Sequence, residues 1–236
     1  MNISDLLRDS LLYPLRNIPS LLLYCLLGIV SGIVVGGTLT SIAFSVTAGN
    51  VLATIGSGIA GIVVAVFLDF IISGYALDIV KYGIEKNNGA PGIDFFRQFF
   101  NGVKLFAVSI TYLFVPIIIS AVLAVFFNQW VVILVALILF IIFSLAQLMA
   151  QCRLAKTEDL MYALNIPDAI KDVARVGFIE LLLFVIIIAL ISLALFIIAG
   201  FVTQWNSIVG GVLMGIVSVY LIFFTNRVVG SLYSKV

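Results

Sequence analysis

Three long stretches of this chain carry no charged side chain: Arg16 to Asp69, Lys104 to Arg153, and Glu180 to Arg227. Each is about twice as long as one helical crossing of a bilayer requires. A short polar break divides each stretch, at Ala48-Gly49-Asn50, at Asn128-Gln129 and from Gln204 to Ser207. The pattern predicts three hairpins of two membrane helices each. Their expected limits are residues 20–46 and 51–73, 104–126 and 130–151, and 180–201 and 208–225, with a polar extension of the second helix past Tyr75.

Between the hairpins the pattern changes to a helical amphipathic period. Phe95, Phe96, Phe99, Phe100 and Val103 share one face of a helix, opposite Asp94, Arg97, Gln98, Asn101 and Lys104. Ile166, Ala169, Ile170, Val173 and Val176 do the same opposite Asp168, Lys171, Asp172 and Arg175, with Pro167 in the first turn, where it is tolerated. Helices of this kind lie in the headgroup plane with the apolar face toward the acyl chains. The glycines and proline of Asn87-Asn88-Gly89-Ala90-Pro91-Gly92 mark a turn before the first of them.

A short motif recurs at these places. Asn2-Ile3-Ser4-Asp5-Leu6-Leu7-Arg8-Asp9 resembles Asn165-Ile166-Pro167-Asp168-Ala169-Ile170-Lys171-Asp172, and Ile93-Asp94-Phe95-Phe96-Arg97-Gln98 is a weaker copy. The expected fold is therefore an all-α membrane protein of six transmembrane helices. It forms one integral membrane domain over 1–236, built as three tandem units of about 1–88, 89–160 and 161–236. Each unit is an interfacial amphipathic helix followed by a transmembrane hairpin, and two crossings per unit keep the repeats parallel.

Composition sharpens this picture. Apolar residues make up 64% of the 236 and charged residues only 10%, against about 25% charged in a soluble domain. All twelve lysines and arginines fall in the segments on one side of the hairpins. The positive-inside rule then predicts a multi-pass protein of the cell membrane with both termini cytoplasmic. Trp130 and Trp205, the two tryptophans, sit at the opposite turns, where indoles favour the headgroup region. Asp5 and Asp9 among the first charges, and the long apolar run after Pro19, predict a retained first helix rather than a cleaved signal.

Candidate chemistry is sparse. Asp69 is the one acid expected within a span, near the end of helix two. A carboxylate there costs about 2.5–3.5 kcal/mol on insertion scales, which makes it a candidate to bind a cation or carry a proton. The competing reading ends helix two early and leaves Asp69 at the headgroups. Gly28, Gly32 and Gly36 recur every four residues, as do Ala53, Ser57, Gly61 and Ala65, and Gly211 and Gly215 offer a shorter seam. Small residues at that spacing let helices approach closely, within a hairpin or across a dimer; a conducting glycine face is the other reading.

The pairs Asp5–Arg8, Asp94–Arg97 and Asp168–Lys171 are open to two readings: a ring of ion pairs closing a cytoplasmic gate, or local i,i+3 pairs of little energetic weight. Gln147 and Gln151 form a polar stripe that either lines a water path or bonds a neighbouring helix. Pro116 is expected to kink helix three. The chain has no histidine and two distant cysteines, Cys25 and Cys152, so no transition-metal site, disulfide or cofactor site is predicted. No nucleophile sits beside a base, so no enzymatic activity is expected. A net charge of +1 argues against nucleic acid.

Ser73-Gly74-Tyr75, followed by Lys81, Pro91, Phe95, Gly102, Tyr112 and Pro116, resembles a prokaryotic membrane family known as domain of unknown function 4013, which is frequent in archaea. The resemblance covers most of the chain and implies a multi-pass membrane protein. It carries over no activity, cofactor or binding residue. The expected function is that of a non-enzymatic membrane component whose partners are the lipid bilayer and another membrane protein or a second copy of the chain. Transport of a small solute or lipid-like cargo is the alternative.

Overall fold

The computed structural model describes residues 3–235, so Asn2, the first residue of the N-terminal motif, lies outside the described residues. Among them every regular element is an α-helix: α1 (Ile3–Arg16), α2 (Ile18–Thr47), α3 (Val51–Ile84), α4 (Phe95–Phe126), α5 (Gln129–Thr157), α6 (Leu160–Ala163), α7 (Ile166–Val176), α8 (Phe178–Trp205) and α9 (Ser207–Tyr233). Six of them, α2, α3, α4, α5, α8 and α9, are long and apolar enough to cross a membrane. They fall in the three expected hairpins. Asn50 and Asn128 cap the second helix of the first two, accepting from the backbone N–H of Ala53 and Val131 at 3.1 and 3.0 Å. Gly49 supplies the left-handed residue, φ 67°, that the tight α2–α3 reversal requires.

Two helices are longer than the pattern predicted. The polar extension past Tyr75 is part of one uninterrupted α3 that reaches Ile84. The amphipathic run beginning at Phe95 is not a separate interfacial helix; it forms the first turns of α4. Its faces are as expected in composition. Gln98 and Asn101 turn inward and are buried, while Phe95, Phe96, Phe100 and Val103 are exposed.

α3 is the centre of the bundle and packs against α2, α4, α5 and α9. Its closest crossings depend on glycine. A Cβ on Gly74 would strike the backbone carbonyl of Gln98, and one on Gly102 would strike that of Phe70. Each helix thus seats the other's backbone in a missing side chain. Gly83 and Gly230 do the same between α3 and α9: a Cβ on Gly83 would stand only 3.0 Å from the Gly230 Cα, and one on Gly230 would strike the Val80 carbonyl. This is the small-residue close approach that membrane helices use in place of a hydrophobic drive.

Burial is uneven along the bundle. Buried residues gather at one end, in 71–80 of α3, 143–155 of α5 and 219–233 of α9, which is also where the charged segments lie. The other half presents Ile33, Leu39, Leu52, Ile59, Val125 and Leu134 outward. A bundle that is dry and tightly joined at its charged end, and apolar on the outside beyond it, has the surface a bilayer solvates.

Candidate functional site

A cavity of 680 Å³ lies between α2, α3 and α9. It collects five of the residues singled out by the sequence. Asp69 of α3 lines it, as do Gly28 and Gly32 of α2 and Gly211 and Gly215 of α9. Ser31 and Ser218 add two hydroxyls, and Ile29, Ile72 and Val219 add apolar wall. Ile33 and Val212 also line it and are 68% and 44% exposed, so its mouth opens sideways between α2 and α9.

Most of the glycines therefore open space rather than close it. An added Cβ on Gly32, Gly36 or Gly211 would meet nothing within 4 Å, and one on Gly215 only Ile29 at 3.8 Å. Gly28 is tighter, 3.1 Å from Val219. Only Gly61, whose Cβ would collide with the Thr38 side chain, acts as an obligatory contact within the α2–α3 hairpin. Gly61 and Gly28 stand in close contact with a neighbouring helix, whereas Gly32 and Gly211 face the cavity.

Asp69 is exposed to the cavity, and no described residue pairs or hydrogen-bonds with its carboxylate. Ser31 lines the same cavity. Exposed Leu22 and Leu26 continue the apolar surface of α2 toward the charged end, and exposed Ile33 and Leu39 continue it the other way. α3 itself runs on for more than four turns beyond Asp69. The helix therefore does not end at Asp69.

The three acid–base pairs fare differently. Asp168 and Lys171 meet at 3.0 Å. The lysine ammonium beside it holds the Asp168 carboxyl below the usual carboxylate range. Asp94 does not pair with the Arg97 side chain; its carboxylate accepts from the Arg97 backbone N–H at 3.1 Å and caps α4. No ion pair joins Asp5 to Arg8 among the described residues.

A different set of charges closes the charged end. The Arg97 guanidinium donates to both oxygens of Asp78, at 2.8 Å each. Gln98 Nε2 reaches Asp78 at 3.4 Å, and Tyr24 donates its hydroxyl to Gln98 Oε1 at 2.6 Å. Arg153 donates to Asp172 at 3.0 Å, and the Tyr233 hydroxyl donates to the same carboxylate oxygen at 3.0 Å. Asp172, assigned by periodicity to the polar outer face, is in fact buried. Arg227 lies 3.4 Å from Asp9, donates to the carbonyls of Tyr82 and Asn87 at 3.1 and 2.6 Å, and stands over the Tyr13 ring. Tyr13 in turn donates to the Gly89 carbonyl at 3.0 Å, and burial holds its phenol well above its ordinary range.

These contacts escape local reading because each joins segments far apart in sequence. One signal was available. Arg153 follows Asp94 by 59 residues, the same interval at which Arg227 follows Asp168. Gln98, Asp172 and Asp9 also occupy the same position of the recurring motif, and each touches the charged residue at the end of a span. The glutamines resolve to one reading: Gln147 donates to Ser109 of α4 at 3.1 Å, and Gln151 to Asn226 of α9 at 2.7 Å. Both bind neighbouring helices.

Six apolar helices, a polar belt at one end and an apolar outer surface define a multi-pass integral membrane protein. Residues 58–204 match the family described as protein of unknown function (DUF4013). The match spans more than half of the chain, and the chain belongs to that family. No curated protein and no solved structure shows significant similarity to it.

Proposed function

We propose that this chain is a non-enzymatic component of the cell membrane that holds a lipid-like small molecule between α2, α3 and α9. The observation that carries the reading is the cavity itself. Its 680 Å³ falls within the range of about 300–1,000 Å³ typical of small-molecule sites. Its walls are mainly apolar, and its mouth is flanked by the exposed Ile33 and Val212, so a ligand dissolved in the bilayer enters without crossing water. Glycines on two facing helices, Gly32 and Gly211, leave open space where large side chains would intrude.

The orientation in this reading has both termini in the cytoplasm, because all lysines and arginines lie at the packed end. The body is read as three tandem units. Its support is the recurring motif, the shared 59-residue interval and the cyclic order of contacts: α3 to the start of α4, α5 to α7, α9 to α1. Transport is the second reading. It is favoured by a cavity bounded toward the cytoplasm by that belt of ion pairs, the arrangement of a site with one closed end.

Native mass spectrometry of the chain purified in mild detergent tests the proposal. A small molecule retained by the wild-type protein and lost from a Gly32→Leu, Gly211→Leu variant that still unfolds cooperatively supports it. Equal retention in both, or none in either, overturns it.

A further inference from the structure

We infer that the cavity selects an amphiphile bearing a positively charged amine, with Asp69 as its counter-ion. This rests on the reading of the cavity as a lipid-like site and names the class of ligand it takes.

Every polar side chain of the cavity can accept a hydrogen bond. Asp69 contributes two carboxylate oxygens that no described residue engages. Ser218 lines the cavity and spends its proton on the Met214 carbonyl, 2.8 Å away, which leaves its oxygen to accept. Ser31 supplies a fourth oxygen, on a hydroxyl that can accept as well as donate. An ammonium carries three N–H donors and no acceptor, so a carboxylate and two hydroxyls on three different helices complement it. No lysine or arginine is among the described residues that line the cavity. An anionic headgroup would meet a bare carboxylate, and a neutral one would leave that charge without an opposite.

The surroundings strengthen the case. Buried acids at the charged end each have a base within reach: Asp78 has Arg97, and Asp172 has Arg153. Asp69 has none, although it stands on a helix long and apolar enough to span a membrane, where a lone carboxylate is costly. An arriving ammonium would supply the missing partner in a site of low dielectric, where the attraction is strong. The apolar remainder of the cavity, from Ile29 and Ile72 to Val219, accepts the hydrocarbon chain.

The test uses two probes that differ only in the headgroup, dodecylamine and dodecanol. Binding of each to the purified full-length chain at neutral pH is measured, with the Gly32→Leu, Gly211→Leu variant as the baseline for partition into detergent. The expected result is a preference of about tenfold or more for the amine, equivalent to at least ~1.4 kcal/mol. The preference should fall toward unity in Asp69→Asn and persist in Asp69→Glu. Equal binding of the two probes above baseline overturns charge selection and leaves the lipid-like site standing. A preference unchanged in Asp69→Asn overturns the role of that carboxylate. Binding of neither probe above baseline overturns the site itself, and this inference with it.

Discussion

Arg153 and Asp172 meet at 3.0 Å with only 3% and 2% of their side chains exposed, which makes them the most deeply buried ion pair among the described residues. Arg153 stands on α5 and Asp172 on α7, so the pair fastens the amphipathic helix to the bundle. The Tyr162 ring covers the guanidinium at 3.8 Å, and the Tyr233 hydroxyl donates to the carboxylate. Removing one partner strands the other charge. Asp172→Ala should therefore destabilise the chain by about 3–5 kcal/mol. Replacing both at once, with Arg153→Met and Asp172→Leu, should recover most of the loss. Unfolding midpoints in detergent check this; a double variant no better than the single one would contradict it.

The glycines should separate into two classes. Gly74→Ala and Gly102→Ala place a methyl against the backbone carbonyls of Gln98 and Phe70, and the α3–α4 crossing must open to admit it. A loss of about 1–3 kcal/mol or more is expected for each. Gly32→Ala and Gly211→Ala meet open space. Both should be neutral or stabilising by up to ~1 kcal/mol, because alanine is the better helix former. Thermal midpoints of the four single variants decide it. A Gly32→Ala as damaging as Gly74→Ala would mean the cavity is closed in solution.

Glu158 gives a defined pH response. Its carboxylate accepts from Lys81 Nζ at 2.8 Å, and that contact holds its pKa below the ordinary value of 4.5. The unfolded chain then takes up the proton first as pH falls. The stabilisation is fully present above pH 4.5 and is lost as the pH drops through the folded-state value. The pair is partly exposed, so it contributes only ~0–1 kcal/mol. Glu158→Gln should lower the midpoint slightly at neutral pH and make no difference well below pH 4. A gap that widens with acid would reverse the assigned sign.

Topology can be read by labelling. Single cysteines at Thr47, Gln129 and Trp205 mark the uncharged turns, and cysteines at Glu85 and Met161 mark the charged end; all five positions are exposed. The background carries alanine at the buried Cys25 and Cys152. In intact cells an impermeant maleimide should modify the first three directly and the other two only after permeabilisation. The opposite pattern would invert the proposed orientation.

The six long apolar helices and their pairing in hairpins were legible in the sequence for one reason. Hydropathy is a local property, and forty-odd residues without charge have few ways to fold. Asp69 stood out because nothing charged surrounds it for many residues on its N-terminal side. The amphipathic run at Phe95 was also visible, although its continuation into the span as one helix α4 was not, because the same helical period runs through both.

What only the tertiary structure decided is which distant residues meet. Arg97 could have answered Asp94, three residues away, but the N-cap position turns that carboxylate to the backbone and leaves the guanidinium to Asp78 on α3. Gly32 and Gly211 read as seams in one dimension. They became cavity walls because α2 and α9 are held apart there while α3 closes the third side. Spacing along a helix sets which residues share a face. The separation between two such faces depends on every other contact in the bundle, and no single segment encodes it.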